Sequence, residues 1–229
     1  MTLEARPGAR TLADVALAEL REAIISGELE PGHPVRLQEQ VERLDMSSVP
    51  IREALRFLER SGLIDRTPHR GAHVAEMSAQ DLEETYLIRM ELESMAVRLA
   101  AEQMTDDDRK ELLELLDRFA AASHSGDDAR TLALHADLHY ALYRLSGSKW
   151  LLRLLPMLWD NSERYRRLVL VPHVSMEDRL AEHRLILEAC AAGDPDAAEK
   201  ALRDHLRRTF ETAVERLRSQ ELQAAASSD

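Results

Sequence analysis

The chain has 229 residues, 42 of them acidic and 30 basic, for a net charge of −12, and 45% of its residues are hydrophobic. No apolar run approaches the roughly 20 residues of a membrane-spanning helix, and no signal-peptide pattern opens the sequence, so a cytoplasmic protein without a membrane partner is expected. One cysteine, Cys190, cannot form an internal disulfide and fits a reducing compartment.

Eight glycines and eight prolines among many Leu, Ala, Glu and Arg favour helices throughout. Residues 1–10 read as a flexible tail. Helices are expected at 11–26, 36–44 and 48–61, followed by two short strands within 63–76. Ser47 is placed to cap the third helix by accepting a backbone N–H of its first turn. Pro50 falls inside that turn, where its missing N–H costs nothing. Ile51, Ala54, Leu55 and Leu58 recur at helical spacing as a buried stripe, and Arg52, Arg56 and Arg60 lie off it. Gly62 ends the helix. Strands at Leu63-Ile64 and Ala72-His73-Val74 enclose a turn at Thr67-Pro68-His69-Arg70-Gly71. A capped helix with an outward arginine row, preceded by a short helix and followed by a basic turn, has the shape that enters a DNA major groove. An ordinary solvated helix face is the alternative for any single arginine. Residues 1–75 hold ten arginines and twelve acidic residues, a net of −2, so most of the acidic excess lies beyond the wing. DNA contact then depends on a local arginine patch and falls steeply with salt.

Met77-Ser78 marks the expected boundary between a unit at 11–76 and one at 78–220. Six helices are expected after it, at 79–103, 106–122, 128–146, 148–170, 176–192 and 195–218, with Pro156 kinking the fourth. Residues 221–229 read as a second flexible tail. His135 and His139 are four apart on one inward helix face. His183 shares a stripe with Leu180, Leu187 and Cys190, and His205 with Ala198, Ala201 and Leu202. Four inward imidazoles on three helices suit one divalent ion: zinc first, with nickel or another transition metal as alternatives. Four separate hydrogen-bonded core histidines are the competing explanation. His33, His69, His73, His124 and His173 read as surface or structural residues.

Two resemblances follow from these residues. The N-terminal third is similar to the winged helix-turn-helix domain of the GntR family of bacterial transcription regulators. The match runs through Ala23–Gly32, Ser47, Pro50–Leu55, Leu58, Gly62-Leu63 and Arg70–Val74. It implies DNA contacts at Ser47, Arg52, Arg70 and Gly71, and Ser48 and Arg56 on the same helix are added as candidates. The family's Gly-Val-Ser-Arg is here Asp45-Met46-Ser47-Ser48, which removes a customary arginine. The remainder resembles the helical FCD-type effector domain of the FadR subgroup, through Arg89, Glu93, Leu138-His139, Glu182-His183-Arg184 and His205. That resemblance implies a metal held by His139, His183 and His205, with His135 where the subgroup has an aspartate. It also implies a small carboxylate effector near Arg89, with Arg164 and Arg166 as further candidates. For Arg164, Arg166 and Arg167 a solvated helix face is the favoured reading.

The fold expected is all-α with a small β-wing: an N-terminal winged helix-turn-helix and a C-terminal six-helix antiparallel bundle for effector binding and dimerisation. The function expected is a metabolite-responsive repressor, acting as a homodimer on a double-stranded operator with two-fold symmetry. The alternatives are a metal-dependent enzyme built on the histidines, or a regulator whose histidines are purely structural. His135-Ala136-Asp137-Leu138-His139 lacks the Glu of the His-Glu-x-x-His protease motif.

Overall fold

The computed structural model describes residues 11–67, 71–167 and 175–226. It divides into two compact units, Met1–Met77 and Ser78–Asp229. In the first, α1 (Leu12–Ile25), α2 (Leu37–Leu44) and α3 (Ser48–Arg60) precede β1 (Ile64–Thr67) and β2 (Gly71–Val74). Thr11 and Asp14 form a reciprocal capping box that starts α1. Leu20 and Ile24 of α1 meet Ile51, Leu55 and Leu58 of α3 in one core that also takes in Leu63, Ile64 and Val74. Each such side chain contributes about 1.5–3 kcal/mol by leaving water. The strands pair antiparallel, Ile64 opposite Val74 and Thr67 opposite Gly71. Val35 N–H donates to the Ala72 carbonyl at 2.8 Å, which ties the approach to α2 onto the wing.

The end of α3 is as expected. Gly62 takes φ 77°, Leu63 N–H reaches the Leu58 carbonyl at 3.0 Å and Gly62 N–H the Glu59 carbonyl at 3.3 Å. That pair of bonds is the Schellman arrangement, which glycine accommodates without steric cost. The start of α3 differs. Ser47 is the N-cap residue, but its side chain makes no capping bond. An N-cap hydroxyl accepts from the second or third helical N–H, and the third helical residue is Pro50, which has none.

The second unit contains α4 (Ala79–Gln103), α5 (Asp106–His124), α6 (Asp128–Arg144), α7 (Leu151–Tyr165), α8 (Met176–Ala191) and α9 (Pro195–Ala226). Side-chain caps at Ser78, Thr105, Asp127 and Ser175 start four of these helices. α4 packs along α9 and against α7, and α5 along α6 and α8. Two helices depart most from expectation. α7 begins at Leu151 rather than 148, Arg166 and Arg167 after it take a π-type turn, and residues 168–170 of the expected helix lie outside the described residues. α9 continues to Ala226 instead of ending at 218, so residues expected in a flexible tail are helical. The extension is rich in Gln, Leu and Ala, with no Gly or Pro to stop it. Among the described residues, no helix is long and apolar enough to cross a membrane.

Candidate DNA-reading helix and candidate metal centre

α3 keeps Ile51, Ala54, Leu55 and Leu58 buried while Arg52, Arg56 and Arg60 are exposed. Arg52 and Arg56 border an open groove of about 760 Å³, together with Arg36, Arg66 and Gly71. Sequence spacing does not bring Arg36 and Arg66 here; the packing of α2 and the wing against α3 does. Those two arginines already hold carboxylates, Arg36 on Glu39 at 2.8 Å and Arg66 on Glu59 at 3.1 Å. Arg52, Arg56 and Arg60 have no ion-pair partner among the described residues. Ser47 and Ser48 are exposed at the start of the same helix. Gly71, at φ 78°, opens β2. Arg70, the remaining candidate, lies outside the described residues.

In the second unit, His135 and His139 of α6, His183 of α8 and His205 of α9 are all buried. One ligand atom from each lies within 4.8 Å of the others. The surroundings dictate which ring nitrogen carries each proton. The Tyr143 hydroxyl donates its single hydrogen to Glu93, so it can only accept from His139 Nδ1, at 2.9 Å. Burial, then the Glu93 charge, pushes the Tyr143 phenol well above its ordinary value, so the hydroxyl keeps that hydrogen. His183 Nδ1 lies 2.6 Å from the Arg179 carbonyl, which only accepts. His205 Nδ1 lies 2.7 Å from Glu182, whose other oxygen is 2.6 Å from Arg208. Three imidazoles are therefore held in the Nδ1–H form by their outer partners. Their Nε2 lone pairs are left for the centre of the cluster.

Two consequences follow. His139 Nε2 and His183 Nε2 stand 2.9 Å apart with no proton of their own to share. Both nitrogens of His135 are buried without a hydrogen-bond partner. Such orphans cost about 1–3 kcal/mol each, and a buried polar group without a partner calls for a missing ion or water. Protonation is a poor remedy. Burial drives His135, His139 and His183 well below the ordinary imidazole value and His205 down to about 3, and neighbouring imidazoles and arginines add to it. A set of four neutral nitrogen donors fits one divalent transition metal. Asp137, two residues from both α6 histidines, is exposed on another face.

Beside the cluster is a cavity of about 20 Å³ whose lining includes Arg89, Trp159, Glu163, Arg166 and Arg179. That volume admits about one water. Arg89 lines it but is fully engaged: Nε to Glu93 at 2.6 Å, Nη1 to Ser162 at 2.8 Å, and the guanidinium over the Tyr86 and Trp159 rings. The solvated-face reading of the α7 arginines does not hold. Arg164 is 1% exposed and Arg166 6%. Arg166 grips Glu163 through two bonds of 2.7 Å, and Arg167 joins the same carboxylate at 3.0 Å. Nearly every residue of α7 from Trp159 to Tyr165 is buried, so no solvent face exists there for periodicity to reveal. Arg164 does not line the cavity; it reaches Asn161 at 3.4 Å. Sequence reading missed Arg179, which does. Burial, aided by the Arg166 charge, lowers its guanidinium to about 10. The signal was present, because Arg179 sits one helical turn before His183.

A winged helix followed by a helical unit with a buried histidine cluster defines a bacterial helix-turn-helix regulator. Residues 12–74 match the gntR family of bacterial regulatory proteins, and residues 84–208 match the FCD domain. The chain belongs to the GntR family, in its FCD-containing form. It is similar to the HTH-type transcriptional repressor GlaR of Escherichia coli (strain K12), 30% identical over 82% of this chain and 89% of that one. It is also similar to the HTH-type transcriptional regulator McbR of the same organism, 29% identical over 86% and 92%. The solved structure of E. coli McbR superposes with a TM-score of 0.78 at 26% identity, covering 90% of this chain and 98% of that one. The family and these relatives are transcription regulators and not enzymes, which sets aside the metal-dependent enzyme.

Proposed function

We propose that this regulator is a metabolite-responsive repressor of the FadR subgroup, acting as a homodimer on an operator with two-fold symmetry. Its helical unit holds one divalent metal ion, zinc or nickel, through His135, His139, His183 and His205. The observation that carries this reading is the convergence of three Nε2 lone pairs on an unpartnered His135. A cation supplies what each nitrogen lacks. It also turns three outer hydrogen bonds, to Tyr143, Arg179 and Glu182, into fixed supports for the ligands.

Arg52 and Arg56, with Ser47, Ser48, Arg70 and Gly71, form the DNA contact. Arg52 and Arg56 are the groove arginines not already holding a carboxylate, which leaves them for phosphates or base edges. The Ser47 hydroxyl, relieved of capping by Pro50, serves the same surface. A small carboxylate enters beside the metal and competes for arginines that internal carboxylates now hold, Arg166 with Glu163 and Arg89 with Glu93. The cavity is too small to receive it without those pairs opening. The ligand therefore favours a rearranged form, which is the condition for moving a conformational equilibrium. A coupling of about 1–3 kcal/mol is enough to release DNA.

Elemental analysis of full-length protein purified without a metal-affinity tag tests the metal. We expect close to one ion per chain, lost in His183→Ala. Zn²⁺ restored to the stripped wild type should add about 2.7 kcal/mol of stability at a hundredfold excess over Kd. A wild type that takes up neither Zn²⁺ nor Ni²⁺ leaves the histidines purely structural. Operator fragments selected from a random pool then test DNA binding, and a thermal-shift screen of organic acids tests the effector.

A further inference from the structure

We infer that this chain's metal site, built from nitrogen donors alone, selects borderline transition ions and refuses the hard ions Mn²⁺ and Mg²⁺, and that His135 is the residue that sets this selectivity. The inference rests on the metal reading above. Its basis is the donor set. The four groups that meet within 4.8 Å are all imidazoles, with no carboxylate among them. Imidazole suits Zn²⁺, Ni²⁺, Cu²⁺ and Co²⁺, whereas Mn²⁺ and Mg²⁺ favour carboxylate and water oxygens.

The surroundings reinforce the choice. The carboxylates nearby are committed elsewhere. Glu93 is held by Arg89 and Tyr143, Glu163 by Arg166 and Arg167, and Glu182 by Arg208 and His205. Glu182 bears on the cluster by way of His205 and Glu93 by way of Tyr143 and His139, while Glu163, on the cavity wall, is held by Arg166 and Arg167. Such outer carboxylates make a nitrogen ligand more basic, which strengthens a partly covalent bond to Zn²⁺ or Ni²⁺. They offer nothing to an ion that binds oxygen. The walls beside the cluster also carry Arg166 and Arg179, which repel any cation held by charge alone. Phe119 and Trp159 pack against the His135 ring, so on that side the cluster meets aromatic walls with no oxygen donor.

The test uses stripped full-length protein, with Zn²⁺, Ni²⁺, Co²⁺, Mn²⁺ and Mg²⁺ added singly. Binding is read by calorimetric titration and by the shift in Tm. Wild type should bind the first three at one ion per chain, and Mn²⁺ and Mg²⁺ should give no shift at the same concentration. His135→Asp should gain a Mn²⁺ shift, and the ratio of Zn²⁺ to Mn²⁺ affinity should fall by about tenfold or more. If that variant does not fold, His139→Asp places a carboxylate on the same helix face for the same comparison. Wild type that binds Mn²⁺ as readily as Zn²⁺ overturns the selectivity while the metal site stands. Wild type that binds none of the five overturns both. An unchanged ratio in folded His135→Asp removes His135 from the role, and an unchanged ratio in folded His139→Asp overturns the link between the all-imidazole donor set and the selectivity.

Discussion

The two units use arginine in opposite ways. In the winged unit Arg52, Arg56 and Arg60 stand in solvent, with no ion-pair partner among the described residues. In the helical unit Arg89 and Arg166 are buried, each closed on a glutamate one helical turn away. A solvated arginine loses little when it is truncated and is free to meet an outside anion. A buried, paired arginine belongs to the fold, and its removal strands a charge in a medium that cannot solvate it. The same residue type is thus left open to an outside anion in one place and serves cohesion in the other, and only surroundings separate the two.

The largest effect that this contrast predicts is at Arg89. Arg89→Ala should cost about 3–5 kcal/mol of stability, because it leaves the Glu93 carboxylate buried without its cation. Chemical denaturation checks the value. Combining Arg89→Met with Glu93→Leu should recover much of the loss, since an apolar pair of similar volume strands no charge. A single variant as stable as wild type would show that the pair is solvated in solution. Because Arg89 carries this structural load, Arg179→Gln is the cleaner probe of effector response. It should keep DNA affinity and lose the response to a carboxylate found by thermal-shift screening. A normal response from Arg179→Gln would take Arg179 out of the effector's contacts and leave Arg166 and Arg89.

At Arg52 the contrast is reversed. Arg52→Ala should weaken binding to a selected operator by about 1–3 kcal/mol if the guanidinium meets a base edge with two bonds. Its unfolding free energy should stay within about 0.5 kcal/mol of wild type. Mobility shift at fixed salt, paired with denaturation of the same sample, reads both. Undiminished DNA affinity would take Arg52 out of the interface.

Ser47 gives the smallest effect. Loss of an N-cap hydroxyl usually costs about 1 kcal/mol. Here Ser47→Ala should cost less than about 0.5 kcal/mol, because Pro50 removes the N–H that the hydroxyl would cap. In a Pro50→Ala background the donor returns, and the same change should regain its usual cost. Equal costs in the two backgrounds would mean that Ser47 caps another N–H in solution.

Much of this molecule was legible in the amino-acid order because its signals are local. The α3 stripe from Ile51 to Leu58 repeats at helical spacing, and Gly62 stops the helix by a rule of backbone geometry. His135 and His139 share an inward face because four residues make about one helical turn. What depended on distant residues could not be read this way. Periodicity assigns a face to water only when the helix has a wet side, and α7 around Arg164 has none. The missing cap at Ser47 needed the exact helix start, since a shift of one residue would return an N–H to the third position.

The amino-acid order by itself therefore determined the helices, the wing, the outward arginine row and the inward direction of four histidines. Each follows from the spacing of neighbours along one chain segment. Tertiary structure alone decided that those four rings meet. It also decided that Tyr143, the Arg179 carbonyl and Glu182 fix three of their tautomers, and that Glu93 and Glu163 claim the cavity arginines. The physical reason is that proton placement and counter-charge depend on distance in space. α4, α6, α7, α8 and α9 become neighbours around this site only when the helical unit packs.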